Sequence, residues 1–410
     1  MKRTAIFCAL LLIACSEDDG SPADDADDGL DGDTSSDTAP SSVVAIGELL
    51  EFTPSNIDPL LEFSAALPTV RFEGSECALA ASINTDDCSA RCVTLPDATC
   101  RIVPLTDGSD AAVLVTGSVF IASDVQVDIV GERPLILVAA EEIRIDGRLR
   151  GLDVISNDIG VAGGYSARAG TGAGDGRGPG GGEGSPGESG SGGGAHCGRG
   201  GDGGRKADDT WGNGPGGEPY GSAELVPLTT GSAGGSNGPS SGGAGGGAVQ
   251  LIAGVRIAVG GQGVISMPGN GGNANRANGG GAGGAVLLEA PYVVISGAII
   301  ANGGGGGAGE LHGDGLPGQD GTGNDNGGRA DNGDYAANGG NGGTAELPDG
   351  RPGADLNAEA GGSAGGGGGG AGWIRINTLA DGNLIDGMVS PGFSSGCAST
   401  GVLQFPPVSD

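Results

Sequence analysis

The sequence predicts an all-β fold, a parallel β-solenoid (β-helix-like) with long glycine-rich insertions and a disordered acidic N-terminal tether. Glycine accounts for 93 of the 410 residues and aromatic residues for only 3%, yet 37% of the chain is hydrophobic. That hydrophobic share exceeds what a purely solvated chain carries. A core must therefore be built from Val, Ile, Leu and Ala. No strict G-X-Y period is present, which excludes a collagen triple helix.

Short aliphatic segments recur along the chain and give the strongest signal for this fold. One unit runs from Pro134–Ala139 to Ile143–Leu149, and similar units begin at Ala248, Ala285 and Gly372. Each unit alternates short strand-forming segments with turn residues. Such short strands are stabilised when they stack on an equivalent strand one coil away, with inward aliphatic side chains in columns. A β-sandwich of antiparallel strands is the alternative.

Glycine-rich insertions separate these units, and the longest cover about residues 152–246 and 303–371. They are much longer than the usual connections between strands. Their composition fits two states, a disordered brush or a bundle of extended, polyproline-II-like segments that pack closely because glycine has no Cβ. The sequence leaves both states open. Insertions on one face of a repeat protein commonly form its working surface, so we expect a displayed glycine-rich face.

The N-terminus predicts export. Lys2 and Arg3 precede a short apolar run that is too short to span a bilayer, as in a secretory signal. The run ends in Leu12–Cys15, which resembles the bacterial lipobox. This resemblance implies that residues 1–14 are a lipoprotein signal peptide and that Cys15 is lipidated. We therefore expect a protein anchored to a bacterial membrane by lipid, at the outer membrane or cell surface.

The mature chain is predicted to have three regions. Residues 15–42 form an acidic disordered linker, since ten acidic residues and no basic residue lie between Ser16 and Thr38. Like charges extend such a segment. Residues 43–110 form a cysteine-containing N-terminal region, and residues 111–410 form the glycine-rich β-solenoid.

Six cysteines remain after the signal peptide and Cys15 are set aside. An even number in an exported protein predicts disulfide bonds. Four of them lie close together and predict two local bridges of undetermined pairing. The other two then pair by elimination. The six candidates are Cys77, Cys88, Cys92, Cys100, Cys197 and Cys397.

Charge and the scarcity of histidine limit the function. A net charge of −32 excludes a nucleic-acid-binding role that depends on phosphate neutralisation. The two histidines, His196 and His312, stand apart in glycine-rich sequence and are interpreted as loop residues. Cys88 and Cys92 have no histidine nearby, so we expect no metal site. No cofactor and no catalytic residue is predicted.

An exported carbohydrate-active β-solenoid enzyme, a lyase or hydrolase, is the alternative function. Such an enzyme needs carboxylates close to basic side chains. The nearest approach to that arrangement is Arg144, Asp146, Arg148, Arg150 and Asp153. Stacking of equivalent repeat positions would also place three arginines in one row, Arg144, Arg256 and Arg375.

Glycine runs that lead into strands carry a family resemblance. Gly279–Val286, Gly365–Ile376 and Arg133–Ala139 resemble the glycine-rich exported lipoproteins of myxobacteria and related bacteria, often labelled PE-PGRS-like. The helical Pro-Glu domain of the mycobacterial PE-PGRS proteins is absent. The resemblance implies a surface protein.

The predicted function is that of a lipid-anchored cell-surface structural or adhesion-type protein that presents a glycine-rich face. We do not expect it to be an enzyme. Its expected partners are the membrane, through the N-terminal lipid anchor, and glycans or other surface proteins.

Overall fold

The computed structural model of the protein describes residues 42–410 except 97–98, 106, 152–161, 168–172, 239, 274–276, 310–315, 323–336, 359–360 and 406–410. The predicted signal peptide, Cys15 and the acidic linker up to residue 41 lie outside the described residues. Residues 42–410 belong to one compact unit.

Short strands dominate the secondary structure, and the helices are single turns. The helices are α1 (Ile46–Leu49), α2 (Ser75–Leu79) and a 3₁₀ turn at Phe393–Ser395. The strands are β1 (Val43–Ala45), β2 (Glu62–Ser64), β3 (Thr69–Phe72), β4 (Ala81–Asn84), β5 (Ser89–Arg91), β6 (Cys100–Pro104), β7 (Asp110–Thr116), β8 (Ser118–Ile121), β9 (Gln126–Val130), β10 (Leu135–Ala139), β11 (Glu142–Ile145), β12 (Arg148–Arg150), β13 (Ala248–Ala253), β14 (Arg256–Val259), β15 (Val264–Ser266), β16 (Ala285–Glu289), β17 (Tyr292–Ile295), β18 (Ala298–Ile300), β19 (Trp373–Thr378), β20 (Asn383–Ile385), β21 (Met388–Ser390) and β22 (Ala398–Val402).

These strands form three large sheets, each of which takes about every third strand of the chain. Sheet 1 has the order β22-β19-β16-β13-β10-β7-β6, sheet 2 the order β20-β17-β14-β11-β8-β3, and sheet 3 the order β21-β18-β15-β12-β9-β4-β5. Sheet 2 is parallel throughout. In sheets 1 and 3 the edge strands β6 and β5 are antiparallel to their neighbours. A fourth sheet is the antiparallel pair β1–β2.

The predicted fold class, a parallel β-solenoid with glycine-rich insertions, is therefore wrong. Two of the three large sheets are mixed, a two-stranded antiparallel sheet is added, and the sheets are layered around two separate cores. The connections explain the antiparallel edges: only residues 85–88 separate β4 from β5, and only 105–109 separate β6 from β7. A parallel pair needs a much longer crossover, so each short turn forces a hairpin.

One aliphatic core lies between the three large sheets. Strands of sheet 1 stack in register, so that Leu137 lies between Leu114 and Leu251, and Leu251 pairs in turn with Leu288. All four side chains are buried in the same cluster as Ile143 of sheet 2 and the inward residues of sheet 3. The period-two alternation of the strands puts these residues on one face. Stacked Leu, Ile and Val fill the core without large aromatic residues.

A second core covers the other face of sheet 1. Ile136 and Ile252 point away from the first core and pack with Ile46, Phe52 and Phe63 from the N-terminal part of the chain. Strands β10, β13 and β16 are consequently buried along their whole length. Sheet 1 is thus an internal layer, which explains why its sequences are continuous aliphatic runs.

A buried polar cluster fixes the N-terminal part against sheet 1. Glu289, 2% exposed, accepts hydrogen bonds from the backbone N–H of Ser55 (3.1 Å) and from its hydroxyl (2.8 Å). The side-chain amides of Gln250 (2.6 Å) and Asn377 (3.1 Å) donate to the same carboxylate. Four donors compensate the desolvation of one carboxylate that has no ion-pair partner among the described residues.

The glycine-rich segments are ordered wherever the structure describes them. We call residues 162–247, 267–284 and 301–372 the glycine body, and the strands with their turns the sheet body. Along residues 365–370 the backbone N–H groups donate to three neighbouring segments in turn, and the cycle repeats after three residues. The donors and acceptors, at N···O distances of 2.8–2.9 Å, are Gly365 to Ala354, Gly366 to Gly307, Gly367 to Ser191, Gly368 to Arg351, Gly369 to Gly304 and Gly370 to Gly194.

This three-residue cycle is the geometry of a polyproline-II helix, whose hydrogen bonds all leave the segment. Three further segments donate to the carbonyl groups of residues 365–370, through Gly201, Gly280 and Gly340. The segment is therefore surrounded by six others. Of the two states left open by the sequence, the bundle of polyproline-II-like segments is the one observed in the described residues.

Close approach of the backbones explains the need for glycine. A Cβ built on Gly369 would overlap the carbonyl oxygen of Gly281, which belongs to a neighbouring segment. The two residues belong to backbone segments that hydrogen bonds hold to their neighbours, so no side chain can rotate to make room. The glycine body is therefore stabilised through its main chain, in contrast to the aliphatic cores of the sheet body.

Candidate functional site

Disulfide bonds join all six predicted cysteines. Cys77 bonds to Cys92 and Cys88 to Cys100, at sequence separations of 15 and 12. The third bridge joins Cys197 to Cys397 across a separation of 200. The prediction that the protein carries disulfides is confirmed, and the structure supplies the local pairing that the spacing left undetermined. The long bridge connects the glycine body to the residue that precedes β22.

His196, next to Cys197, is a buried structural residue. Its Nδ1 lies 3.0 Å from the carbonyl oxygen of Gly283 and 3.2 Å from that of Gly284, so Nδ1 carries the proton. Its Nε2 lies 2.9 Å from the hydroxyl of Thr229 and accepts from it. Burial lowers the pKa of His196 to about 4, against a smaller upward effect of the two carbonyl groups. Both ring nitrogens are occupied, and the neutral form is favoured.

Where the structure describes them, the residues named for the enzymatic alternative are divided between two sheets. Arg144 forms an ion pair with Asp146 (2.8 Å) on the solvent face of sheet 2. Arg150 lies on sheet 3 and pairs with Asp128 (2.8 Å). Arg148 is an exposed residue of the same strand as Arg150. Asp153 and His312 lie outside the described residues.

The predicted row of three arginines is also wrong. Arg144 is aligned with Ala258 of the next strand, whereas Arg256 is aligned with Glu142 and bonded to it. Arg375 lies in sheet 1, not in sheet 2. The Ile-Arg-Ile segments at 143–145 and 374–376 have the same sequence. The first lies in β11, the second strand of its unit, and the other lies in β19, the first strand of its unit.

An open cleft of about 390 Å³ lies between the two bodies. The sheet body contributes Asp107 of the β6–β7 turn, Asp110 at the start of β7, and Glu132, Arg133 and Pro134 of the β9–β10 turn. The glycine body contributes two tyrosines, with Pro179 and Leu228. The charged and aromatic residues that line the cleft are Asp107, Asp110, Glu132, Arg133, Tyr165 and Tyr220.

The two tyrosines of the cleft are held differently. The hydroxyl of Tyr220 donates to the carbonyl oxygen of Thr230 and accepts from Ser232 (2.9 Å). Burial raises the pKa of Tyr220, and its ring packs 4.9 Å from the ring of His196. Tyr165 is 37% exposed, so part of its surface is available to a ligand.

A glycine keeps the space for Tyr165. Gly178 has a φ of +100°, which side-chain-bearing residues rarely adopt. A Cβ at this position would come within 2.6 Å of the Tyr165 ring. The turn at Gly178 therefore places a backbone directly against the ring and restricts its position.

Charge at the cleft is predominantly negative. Asp107, Asp110 and Glu132 contribute three carboxylates. Among the described lining residues the one cation is Arg133, and it is already bonded to Asp86 at 2.8 Å, which does not line the cleft. The rim therefore disfavours anionic ligands.

A second group of carboxylates, in the glycine body, accepts hydrogen bonds from backbone N–H groups. At several places a backbone N–H group of the glycine body donates to an aspartate side chain and not to a neighbouring segment. The pairs, at 2.7–3.1 Å, are Gly184 with Asp175, Ser189 with Asp209, Arg199 with Asp349, Arg205 with Asp355, Gly216 with Asp202 and Gly271 with Asp320. These aspartates satisfy backbone donors that could otherwise pair with another chain.

Comparison of the chain with protein-family models, curated proteins and solved structures returns no match. The resemblance to glycine-rich exported lipoproteins therefore stays a prediction. Among the residues that the structure describes, no group of three or more His, Cys, Asp or Glu is arranged to hold a metal ion. Within the same described ranges, no helix has the length and apolar character needed to cross a membrane.

The cleft was missed by the sequence analysis. Its polar residues come from turns that are far apart in the chain, and no motif joins them. One compositional signal was present: the chain has only four tyrosines, and two of them meet at this cleft. Rare aromatic residues in a chain whose core is aliphatic are candidates for binding rather than packing.

Proposed function

We propose that this chain is an exported, non-enzymatic protein of the cell surface, anchored to the membrane through lipid on Cys15 and acting in envelope structure or adhesion. The observation that carries the proposal is the ordered glycine body, in which segments such as 365–372 are fixed by hydrogen bonds to six neighbours. A body of this kind is rigid without a large side-chain core. It suits a protein that presents a fixed surface.

The disulfides support export. Three bridges in one chain are typical of oxidising compartments and are rare in the cytosol. The lipobox-like Leu12–Cys15 and the acidic residues that follow it support attachment at a distance from the membrane.

The geometry around the histidine and arginine candidates supports a non-enzymatic role over the carbohydrate-active alternative. His196 has both nitrogens engaged in hydrogen bonds and is buried. Asp146 is committed to Arg144 on an open sheet face. Neither arrangement provides a general acid or base beside a bound substrate.

Metabolic labelling with radioactive palmitate tests the anchor. We expect label in the wild-type protein and in Cys8→Ala, a control cysteine inside the signal peptide, but none in Cys15→Ala. Protease added to intact cells should then remove the wild-type protein from the cell surface. Equal labelling of Cys15→Ala, or full protection from external protease, would contradict the proposal.

A further inference from the structure

We infer that the cleft between the sheet body and the glycine body binds the end of a glycan chain made of neutral or amino sugars. This inference deepens the proposed adhesive function by naming the class of ligand. Its observations are the aromatic wall, the polar groups and the charge of the cleft. It can be tested on the purified protein, independently of the lipid anchor.

The wall formed by the glycine body is suited to a sugar ring. One face of a pyranose carries mainly C–H groups and packs on aromatic and proline rings. Tyr165 is 37% exposed and is held in place by Gly178, while Pro179 and Leu228 of the same body extend the apolar surface. Aromatic rings provide a large contact area at low conformational cost.

The side chains contributed by the sheet body are suited to sugar hydroxyls. Asp107 lies in the β6–β7 turn, Asp110 begins β7, and Glu132 lies in the β9–β10 turn. Carboxylate oxygens are strong acceptors for hydroxyl and ammonium donors. Thr230, which is 8% exposed, adds a polar residue to the lining of the cleft. Apolar and polar groups that line one cleft match the two kinds of surface on a sugar.

Charge selects among sugars. Three carboxylates line the cleft, and the one arginine is neutralised by Asp86. A uronic acid or sialic acid would bring another negative charge into this field and be repelled. A neutral sugar is accepted, and a free amino group would gain attraction.

Size restricts the ligand to a chain end. The volume of about 390 Å³ lies near the lower limit of the range of roughly 300–1,000 Å³ common for small-molecule sites. This space holds a short terminal portion of a glycan. The exposed surface that continues from the cleft leaves the rest of the chain in solvent.

Binding to defined oligosaccharides tests the inference on the full mature protein in detergent. The probes are glucose and N-acetylglucosamine oligomers, a glucosamine oligomer and a galacturonic acid oligomer, measured by isothermal titration calorimetry. We expect binding of at least one neutral or amino oligomer and none of the acidic one. Tyr165→Ala should lower the affinity for the bound oligomer by about fivefold, because loss of a stacking contact worth about 1 kcal/mol raises Kd by that factor.

Two further variants keep the test decisive. Tyr292→Ala removes a tyrosine that is 54% exposed on sheet 2 and should leave the affinity unchanged. Asp110→Asn keeps the shape of the cleft and should lower the affinity for the glucosamine oligomer more than the affinity for the neutral oligomers. Absence of binding to every oligomer, preference for galacturonate, or equal affinity of Tyr165→Ala and the wild type would overturn the inference. The palmitate experiment would still report separately on the anchor.

Discussion

The sheet body is stabilised mainly by packed side chains, whereas the glycine body is stabilised mainly by hydrogen bonds of the main chain. In the sheet body, Leu114, Leu137 and Leu251 stack into a buried aliphatic column, and the backbone ladders bring them into register. In the glycine body, the backbones themselves are the buried groups, and side chains are excluded by close approach. One chain can therefore pair its buried N–H and C=O groups in two ways, through strand ladders and through hydrogen bonds between glycine segments.

Removing the bridge between Cys197 and Cys397 should lower the free energy of unfolding more than any of the other substitutions below. Replacing both cysteines by serine should lower the free energy of unfolding by about 5 kcal/mol, because a bridge over 200 residues removes much loop entropy from the unfolded chain. The Cys77→Ser, Cys92→Ser double variant, with a separation of 15, should lose only about 3 kcal/mol. Equilibrium unfolding in urea measures both. Equal losses would show that the long bridge does not constrain the glycine body.

Adding a methyl group to the glycine body should lower the free energy of unfolding by about as much as creating a cavity in the sheet body. Gly369→Ala places a Cβ on the carbonyl oxygen of Gly281, and we expect a loss of about 3 kcal/mol or more. Leu288→Ala, which empties part of the aliphatic column, should lose a comparable amount, about 2–5 kcal/mol.

The matched control is Gly261→Ala in the turn before β15, where nothing lies within 4 Å of the added Cβ. That variant should gain about 0.5 kcal/mol through the reduced entropy of its unfolded state. Thermal and urea unfolding of the three variants measure the comparison. A Gly369→Ala protein as stable as Gly261→Ala would refute the close-packed description.

Lowering the pH should reduce the free energy of unfolding through the protonation of His196, which is buried in the glycine body. The folded pKa of about 4 lies below the ordinary value of 6.5, so the unfolded chain binds a proton first as the pH falls. The stability is complete above about pH 6.5 and declines progressively down to about pH 4. Between pH 7 and pH 5 the loss amounts to about 2 kcal/mol.

The variant His196→Asn isolates this effect from the titration of the many carboxylates. Its unfolding free energy should change less between pH 7 and pH 5 than that of the wild type, by the same 2 kcal/mol. Parallel pH profiles for the two proteins would show that the imidazole does not carry the effect.

The strands could be located from the sequence, because their signal lies in side chains. Aliphatic runs such as Leu135–Ala139, Ala248–Ala253 and Ala285–Glu289 are each strands of sheet 1. The antiparallel edges could not be predicted from these patterns, since β5 and β6 are defined by turn length and by the disulfides around them. The arginine row failed for a related reason: Arg144 and Arg375 have similar neighbours but lie in different sheets.

The cleft required the tertiary structure altogether. Tyr165 and Tyr220 are 55 residues apart, and Asp107 and Glu132 lie on separate turns of the other body. No periodic pattern relates turns that meet only after the two bodies are assembled. Its charge could be expected in part, since the chain is strongly acidic.

The sequence by itself determined the aliphatic strands, the number of cysteines available for bridges and the concentration of glycine between the strand units. It could do so because side-chain polarity repeats with the period of the local structure. Only the tertiary structure decided which segments of glycine become neighbours, because glycine has no side chain to encode a partner. The sheets and the Cys197–Cys397 bridge fix where the segments begin and end. Backbone hydrogen bonds between the segments then determine which of them lie side by side.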